Sequence, residues 1–183
     1  MFSPTVDRAL AIIVLNPNVP LHVGEVQRLA GEKNYQATKN AIDGLVKRGL
    51  VSLQPRNDKD AYVPNLRSAY YPAARLAALA ALPWSACLRE RGINLAGISA
   101  VYVYGSQVHG NPGPASDIDV LVIGAADKNT VFAAFEPIAA MTGRKVDPWL
   151  LRSSEAADRL EAGDAYIQSA LAGLRVFGEE DFA

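Results

Sequence analysis

Two aspartates separated by a single residue, Asp117 and Asp119, carry the strongest chemical signal in this 183-residue chain. They head the run Asp117-Ile118-Asp119-Val120-Leu121-Val122-Ile123, whose β-branched residues predict a buried strand. Alternation along a strand sets both carboxylates on one face and Ile118 on the other. Two like charges so close in an apolar sheet are costly unless a cation or a proton sits between them. Mg²⁺ suits such a pair, because it takes hard oxygen ligands and is usually completed by substrate phosphates. Upstream, Val101-Tyr102-Val103-Tyr104 predicts a second buried strand, ending at Gly105-Ser106. A residue without Cβ lets the backbone approach a ligand closely at that point. The two strands are joined through the loop Gly110-Asn111-Pro112-Gly113-Pro114, and Ser116 is read as orienting the aspartates or capping the turn.

The surrounding elements follow from periodicity. Farther along, Ser153–Gly163 and Asp164–Gly173 predict two helices with Ser153 and Asp164 as possible N-caps. The chain closes on Val176-Phe177 and the acidic run Glu179-Glu180-Asp181. In the first half, Val6, Ala9, Leu10, Ile13 and Val14 recur at helical spacing, stopped by Pro17 and Pro20. An extended piece, Leu21–Val23, leads to a helix with Val26, Leu29 and Ala30 on one face, ended by Gly31. Asn34 is the predicted N-cap of a third helix that turns Ala37, Ala41, Ile42, Leu45 and Val46 inward and closes at Gly49. Leu50–Leu53 and Ala61–Val63 then predict two strands around the polar turn Arg56-Asn57-Asp58-Lys59-Asp60. This is the order of a winged helix-turn-helix, in which the third helix enters the major groove and the wing touches the backbone. On that reading Gln36, Lys39, Asn40 and Lys47, with Arg56 in the wing, contact DNA. Service as a protein-interaction module stays open, because Arg56 and Lys59 are balanced by Asp58 and Asp60. Ser68–Gly92 is helical in composition, with Tyr70, Tyr71 and Trp84 expected to pack it against one half or the other.

Composition narrows the class further. Half the residues are hydrophobic and a fifth charged, a globular balance that excludes extensive disorder. Cys87 is the only cysteine, so no intramolecular disulfide and no multi-cysteine metal site exists, which fits a reducing compartment. No apolar run approaches the roughly 20 residues that span a bilayer, and a cytoplasmic protein is expected. The net charge of −1 hides an asymmetry: residues 1–75 hold ten Lys and Arg against six Asp and Glu, residues 76–183 eight against thirteen. Opposite signs point to two modules with different partners. His22 and His109 read as exposed, Tyr102 and Tyr104 as packing residues, and Cys87 as a small buried hydrophobe. Arg144 and Lys145 read as a solvated strand end, with neutralisation of phosphate charge as the other role open to them.

The pattern Gly105-Ser106-x10-Asp117-x-Asp119 resembles the minimal nucleotidyltransferases of the DNA polymerase β superfamily, over roughly residues 95–178. The resemblance implies that Gly105 and Ser106, with Ser116 nearby, cradle a nucleoside triphosphate. It implies also that Asp117 and Asp119 hold Mg²⁺ or Mn²⁺, and that Arg144–Leu151 is the later strand from which Asp147 supplies the third carboxylate. Pro148 beside Asp147 is out of place in a central strand. The expected architecture is a mix of α+β and α/β: a winged helix-turn-helix at residues 1–67, a helical linker at 68–92, and a small mixed-sheet nucleotidyltransferase core flanked by helices at 93–183. The layout also resembles prokaryotic fusion proteins described as transcriptional regulators.

Two functions follow from different classes. The first is metal-dependent transfer of a nucleoside monophosphate from an NTP to an acceptor (small molecule, RNA or protein), with the winged helix reaching DNA or a partner. The second is a DNA-binding regulator or antitoxin-like protein whose nucleotidyltransferase module senses nucleotide or does not turn over. A homodimer reading two half-sites is compatible with either.

Overall fold

The protein is described by a computed structural model covering residues 4–110, 112–113 and 115–178. Asn111, Pro114 and the acidic run 179–181 lie outside the described residues. Two compact units divide the chain: residues up to Leu82 together with Met141–Gly143, and Pro83–Ala140 together with the residues from Arg144 onward.

In the first unit, α1 (Pro4–Leu15) is followed by α2 (Val23–Leu29), α3 (Tyr35–Lys47), β1 (Val51–Leu53), β2 (Tyr62–Pro64) and α4 (Tyr71–Ala80). Every residue from Ala9 to Leu15 is buried, so α1 is a central helix apolar on all sides, and it packs on α3 and α4. Asn34 caps α3 by accepting from the Ala37 N–H at 3.0 Å, while Gly31 and Gly49, at φ of 64° and 69°, follow the ends of α2 and α3. Ala41, Ile42 and Leu45 form the buried face of α3. β1 and β2 pair antiparallel, and an isolated bridge from Leu21 to Tyr62 extends the pairing. Farther out, Arg56 bridges Lys59 across Asn57 and Asp58, both at positive φ, the geometry of a tight two-residue hairpin turn. Tyr70, expected to pack, is instead 70% exposed.

The second unit contains α5 (Trp84–Glu90), β3 (Ile98–Tyr104), the one-turn helix α6 (Ser106–His109) and β4 (Ile118–Gly124). After these come α7 (Lys128–Ala134), α8 (Glu136–Thr142), β5 (Val146–Leu151), α9 (Ser153–Glu161), α10 (Ala165–Leu171) and β6 (Leu174–Gly178). The sheet order is β5-β4-β3-β6, with β4 and β5 parallel and the other neighbours antiparallel. It is thus a mixed sheet, as expected. On one face Ala100, Tyr102, Tyr104, Leu121, Ile123 and Leu151 pack under Ala156, Ile167 and Ala170 of α9 and α10. Alternation gives Ile118, Val120 and Val122 to the opposite face. Beside the sheet α5 packs on α7, and Trp84 meets Phe135 edge to face at 5.4 Å between ring centroids. Each such fully buried large side chain contributes about 1.5–3 kcal/mol to the fold.

Three features depart from the sequence patterns. Helices α7 and α8 occupy a stretch where periodicity predicts no element, and the chain after α10 forms the edge strand β6 on β3. Ser153 does not cap α9: Arg152 holds the N-cap position, and the Ser153 hydroxyl shares a hydrogen bond with Ser99 Oγ at 3.0 Å. Asp164 does cap α10, accepting from the Tyr166 N–H at 2.9 Å.

Candidate active site

The register of three neighbouring strands assembles the site. Tyr104, the last residue of β3, pairs with Asp119 in β4, and Asp119 pairs with Asp147 in β5. Both aspartates therefore stand at the end of the sheet face that α9 and α10 cover farther along. Asp117 immediately precedes β4. Burial raises the Asp119 carboxyl above the ordinary aspartate range, and the charges of Asp147 and Asp117 raise it further, against an opposing pull from Lys145. Lys145 is exposed at the strand end, as expected, and its ammonium lies 2.9 Å from Asp147 and 3.8 Å from Asp117, so it also partners two of the acids. Among the described residues, no three His, Cys, Asp or Glu side chains are gathered closely enough to hold a metal ion as they stand.

Gly105 also makes room for a neighbouring side chain. It adopts φ 68° and ψ −149°, a conformation that L side chains rarely reach. A Cβ there would run into Asp119 Oδ2, so the missing side chain makes room for the carboxylate. Immediately after it, α6 begins at Ser106, and the Gly105 carbonyl accepts from the N–H groups of Val108 and His109.

Behind the acids lies a clamp that the sequence did not reveal. Gln107 is 1% exposed, and its side-chain amide donates to the carbonyls of Ser116 (3.3 Å) and Asp117 (3.1 Å). Arg144, expected to be solvated, is only 7% exposed and donates to the carbonyls of Gly113 (3.1 Å) and Ser116 (2.8 Å). Ser116 itself accepts from the Gly113 N–H at 2.8 Å, which makes it the cap of the turn leading to Asp117. Helix, turn and strand are thereby tied into one support for the two aspartates. No spacing signal in a single sequence links residues 107, 116 and 144.

Pro148 is accommodated by the topology. The Lys145 carbonyl accepts from the Ile118 N–H at 2.8 Å, so alternation turns the Asp147 backbone toward β4 and the Pro148 nitrogen outward. β5 is an edge strand, where proline forfeits no ladder bond.

In the first unit Gln36, Asn40 and Lys47 are exposed on α3, and Lys39 is half-buried. Gln36 donates to Asn40 (2.9 Å) and Lys39 pairs with Asp43 (2.5 Å). Arg56 is bound to Glu25 at 2.5 Å and donates to His22 Nε2 at 3.2 Å. That hydrogen bond with Arg56 is the main cause holding the Glu25 carboxyl below its usual range. His22, expected to be merely exposed, also meets the Asp60 carbonyl through Nδ1 at 2.8 Å, so the neutral ring carries its proton on Nδ1. His109 is exposed, and Cys87 is buried with its thiol pushed up by desolvation.

Among known protein families, the model of the nucleotidyltransferase domain matches residues 87–167. The matched stretch begins in α5 and ends in α10, so it includes Gly105, Ser106, Asp117, Asp119 and Asp147. No curated protein and no solved structure matches the chain. The match supports nucleotidyl transfer in general, with a nucleotide as substrate. No helix among the described residues is long and apolar enough to cross a membrane.

Proposed function

We propose that the second unit transfers a nucleoside monophosphate from a nucleoside triphosphate to an acceptor hydroxyl, in a metal-dependent reaction. The observation that carries this reading is the register Tyr104–Asp119–Asp147, which lines up two acids beside the Gly105–Ser106 turn. Asp117, Asp119 and Asp147 fit Mg²⁺ or Mn²⁺: they offer hard oxygens, burial and then the charges of the other two raise the Asp119 carboxyl, and a lysine cation partners those two. Bound there, the ion supplies neutralisation of phosphate charge. The Ser106 N–H and hydroxyl bind the phosphate tail. The acceptor oxygen attacks the α-phosphorus, the bond to the β-phosphate oxygen breaks, and pyrophosphate leaves with that electron pair. Asp147 takes the hydroxyl proton. Lys145 exchanges its carboxylate partners for phosphate oxygens.

The first unit, read as a winged helix-turn-helix, carries the protein to DNA or to a partner through Gln36, Lys39, Asn40, Lys47 and Arg56. The pairing of Lys145 with two of the acids favours a second reading, a DNA-binding or antitoxin-like regulator whose nucleotide module senses without turnover. The deciding experiment incubates the protein with labelled nucleoside triphosphates, Mg²⁺ or Mn²⁺, and cell extract. Label transfer that disappears in Asp119→Ala supports the enzyme. Sequence-specific DNA retention without any transfer establishes the regulator instead.

A further inference from the structure

Two aromatic side chains that the sequence separates widely meet beside the acids. Trp149 follows Asp147 by two residues on β5 and so shares its face of the sheet. Tyr166, in the first turn of α10, lies with its ring centroid 4.9 Å from that of Trp149, tilted by 54°. The Tyr166 hydroxyl shares a 3.0 Å hydrogen bond with the hydroxyl of Tyr104, the residue immediately before Gly105, and the two rings meet at right angles. Tyr166 is nevertheless 58% exposed, while the core contacts of its helix are made by Ile167 and Ala170. The core does not need this ring. It is held from two sides with a face left to solvent, at the edge of the candidate site.

Arg159 completes the surface: its guanidinium lies 5.7 Å from the Trp149 ring centroid and is itself paired with Glu155 (3.1 Å) and Asp164 (3.3 Å). With that cation already balanced, the surface offers no net attraction for phosphate. What it offers is the exposed Tyr166 ring in fixed orientation, backed by the half-buried Trp149 that carries Arg159 over its ring, and such a surface suits a flat, uncharged, polarisable group.

We propose that Trp149 and Tyr166 form the shelf on which the base of the nucleoside triphosphate stacks. This inference rests on the triphosphate reading of the Gly105–Asp119 site, since a tail held at Gly105 and Ser106 leaves the base within reach of the ring that Tyr104 positions. Stacking on a platform fixed beforehand spends little ordering entropy and tolerates every base, with larger purines gaining most.

The test is calorimetric titration of the full-length protein with ATP, UTP and inorganic tripolyphosphate, each with Mg²⁺. The shelf requires that ATP bind more tightly than UTP, and both more tightly than tripolyphosphate. Tyr166→Ala should weaken ATP binding about tenfold, close the gap between ATP and UTP, and leave tripolyphosphate unchanged. That unchanged arm also shows the variant to be folded. Tyr166→Phe, which keeps the ring and loses the bond to Tyr104, should retain most of the ATP affinity. Equal binding of ATP and tripolyphosphate by the unaltered protein, or full ATP affinity in Tyr166→Ala, overturns the shelf while leaving the phosphate grip intact; the second result would assign the rings to the acceptor. Absence of binding by all three ligands, or indifference of tripolyphosphate to Asp119→Asn, overturns the underlying site instead.

Discussion

The polar face of α3 and the acid-lined end of the sheet treat their charges in opposite ways. On α3 and the hairpin, side chains of the expected contact face are satisfied locally: Gln36 by Asn40, Lys39 by Asp43, Arg56 by Glu25 and His22. Such exposed pairs cost almost nothing to keep and contribute little, at most about 1 kcal/mol each. At the sheet end, the Asp119 carboxyl is raised by burial and by the charges of Asp147 and Asp117. The fold maintains this repulsion, only partly offset by Lys145, while anchoring the same loop through Gln107 and Arg144. Partly offset charge on a rigid support is the sharper pointer to chemistry, and charge neutralised locally on a helix face the weaker one.

The contrast can be broken most severely at Asp119. Replacing it with alanine should reduce label transfer by about a thousandfold or more, measured as initial rate with saturating Mg²⁺ and nucleotide, since several kcal/mol of charge stabilisation depend on the acids. Loss at the clamp should be intermediate. Gln107→Leu and Arg144→Met each leave the carboxylates in place but release the carbonyls of Ser116 and its neighbours, and a fall of about 10–100-fold in turnover is expected. A transfer rate unaltered in both would mean that the loop needs no support.

Stability should move the other way. Folding raises the Asp119 carboxyl, so the stabilisation linked to this group is complete below the ordinary aspartate range and is lost as pH climbs through the raised value. Asp119→Asn should accordingly melt higher than the unaltered protein at pH 7, by about 2–4 °C for each kcal/mol relieved, with the difference shrinking in acid. The smallest effect belongs to α3. Asp43→Asn removes the carboxylate that pairs with Lys39 and leaves its contact with Tyr62; it should change stability by less than about 0.5 kcal/mol and steepen the salt dependence of any DNA retention by at most roughly one phosphate contact.

Legibility followed the same division. β3 and β4 were readable because one β-branched run ends abruptly at Gly105 and the other begins at an aspartate, and because alternation assigns faces without further information. Asp147 was readable through resemblance, and its neighbour Pro148 looked wrong only until β5 proved to be an edge. Helices α7 and α8 escaped notice although both starts are marked. Asp127 accepts from the Thr130 N–H, and Pro137 sits at the second position of α8, where a missing N–H is harmless. Their short lengths gave periodicity too few turns to show. β6 was hidden for a different reason: it is half-exposed throughout, and Arg175 interrupts its apolar character. Arg144 was misjudged because charge alone argues for solvent, and only the carbonyls of Gly113 and Ser116 explain its burial. The ring pair of Trp149 and Tyr166 lay beyond any local rule, since it depends on how α10 is laid across the sheet.

The outward nitrogen of Pro148 bears on assembly as well as on accommodation. A strand seeking to join the sheet beside β5 would meet a gap in the row of donors at its midpoint, directly behind Asp147. That border is thereby guarded against recruitment by a second copy or by an unfolding neighbour. The β6 border, at the far side of the sheet from the acids, has no proline to interrupt its donors.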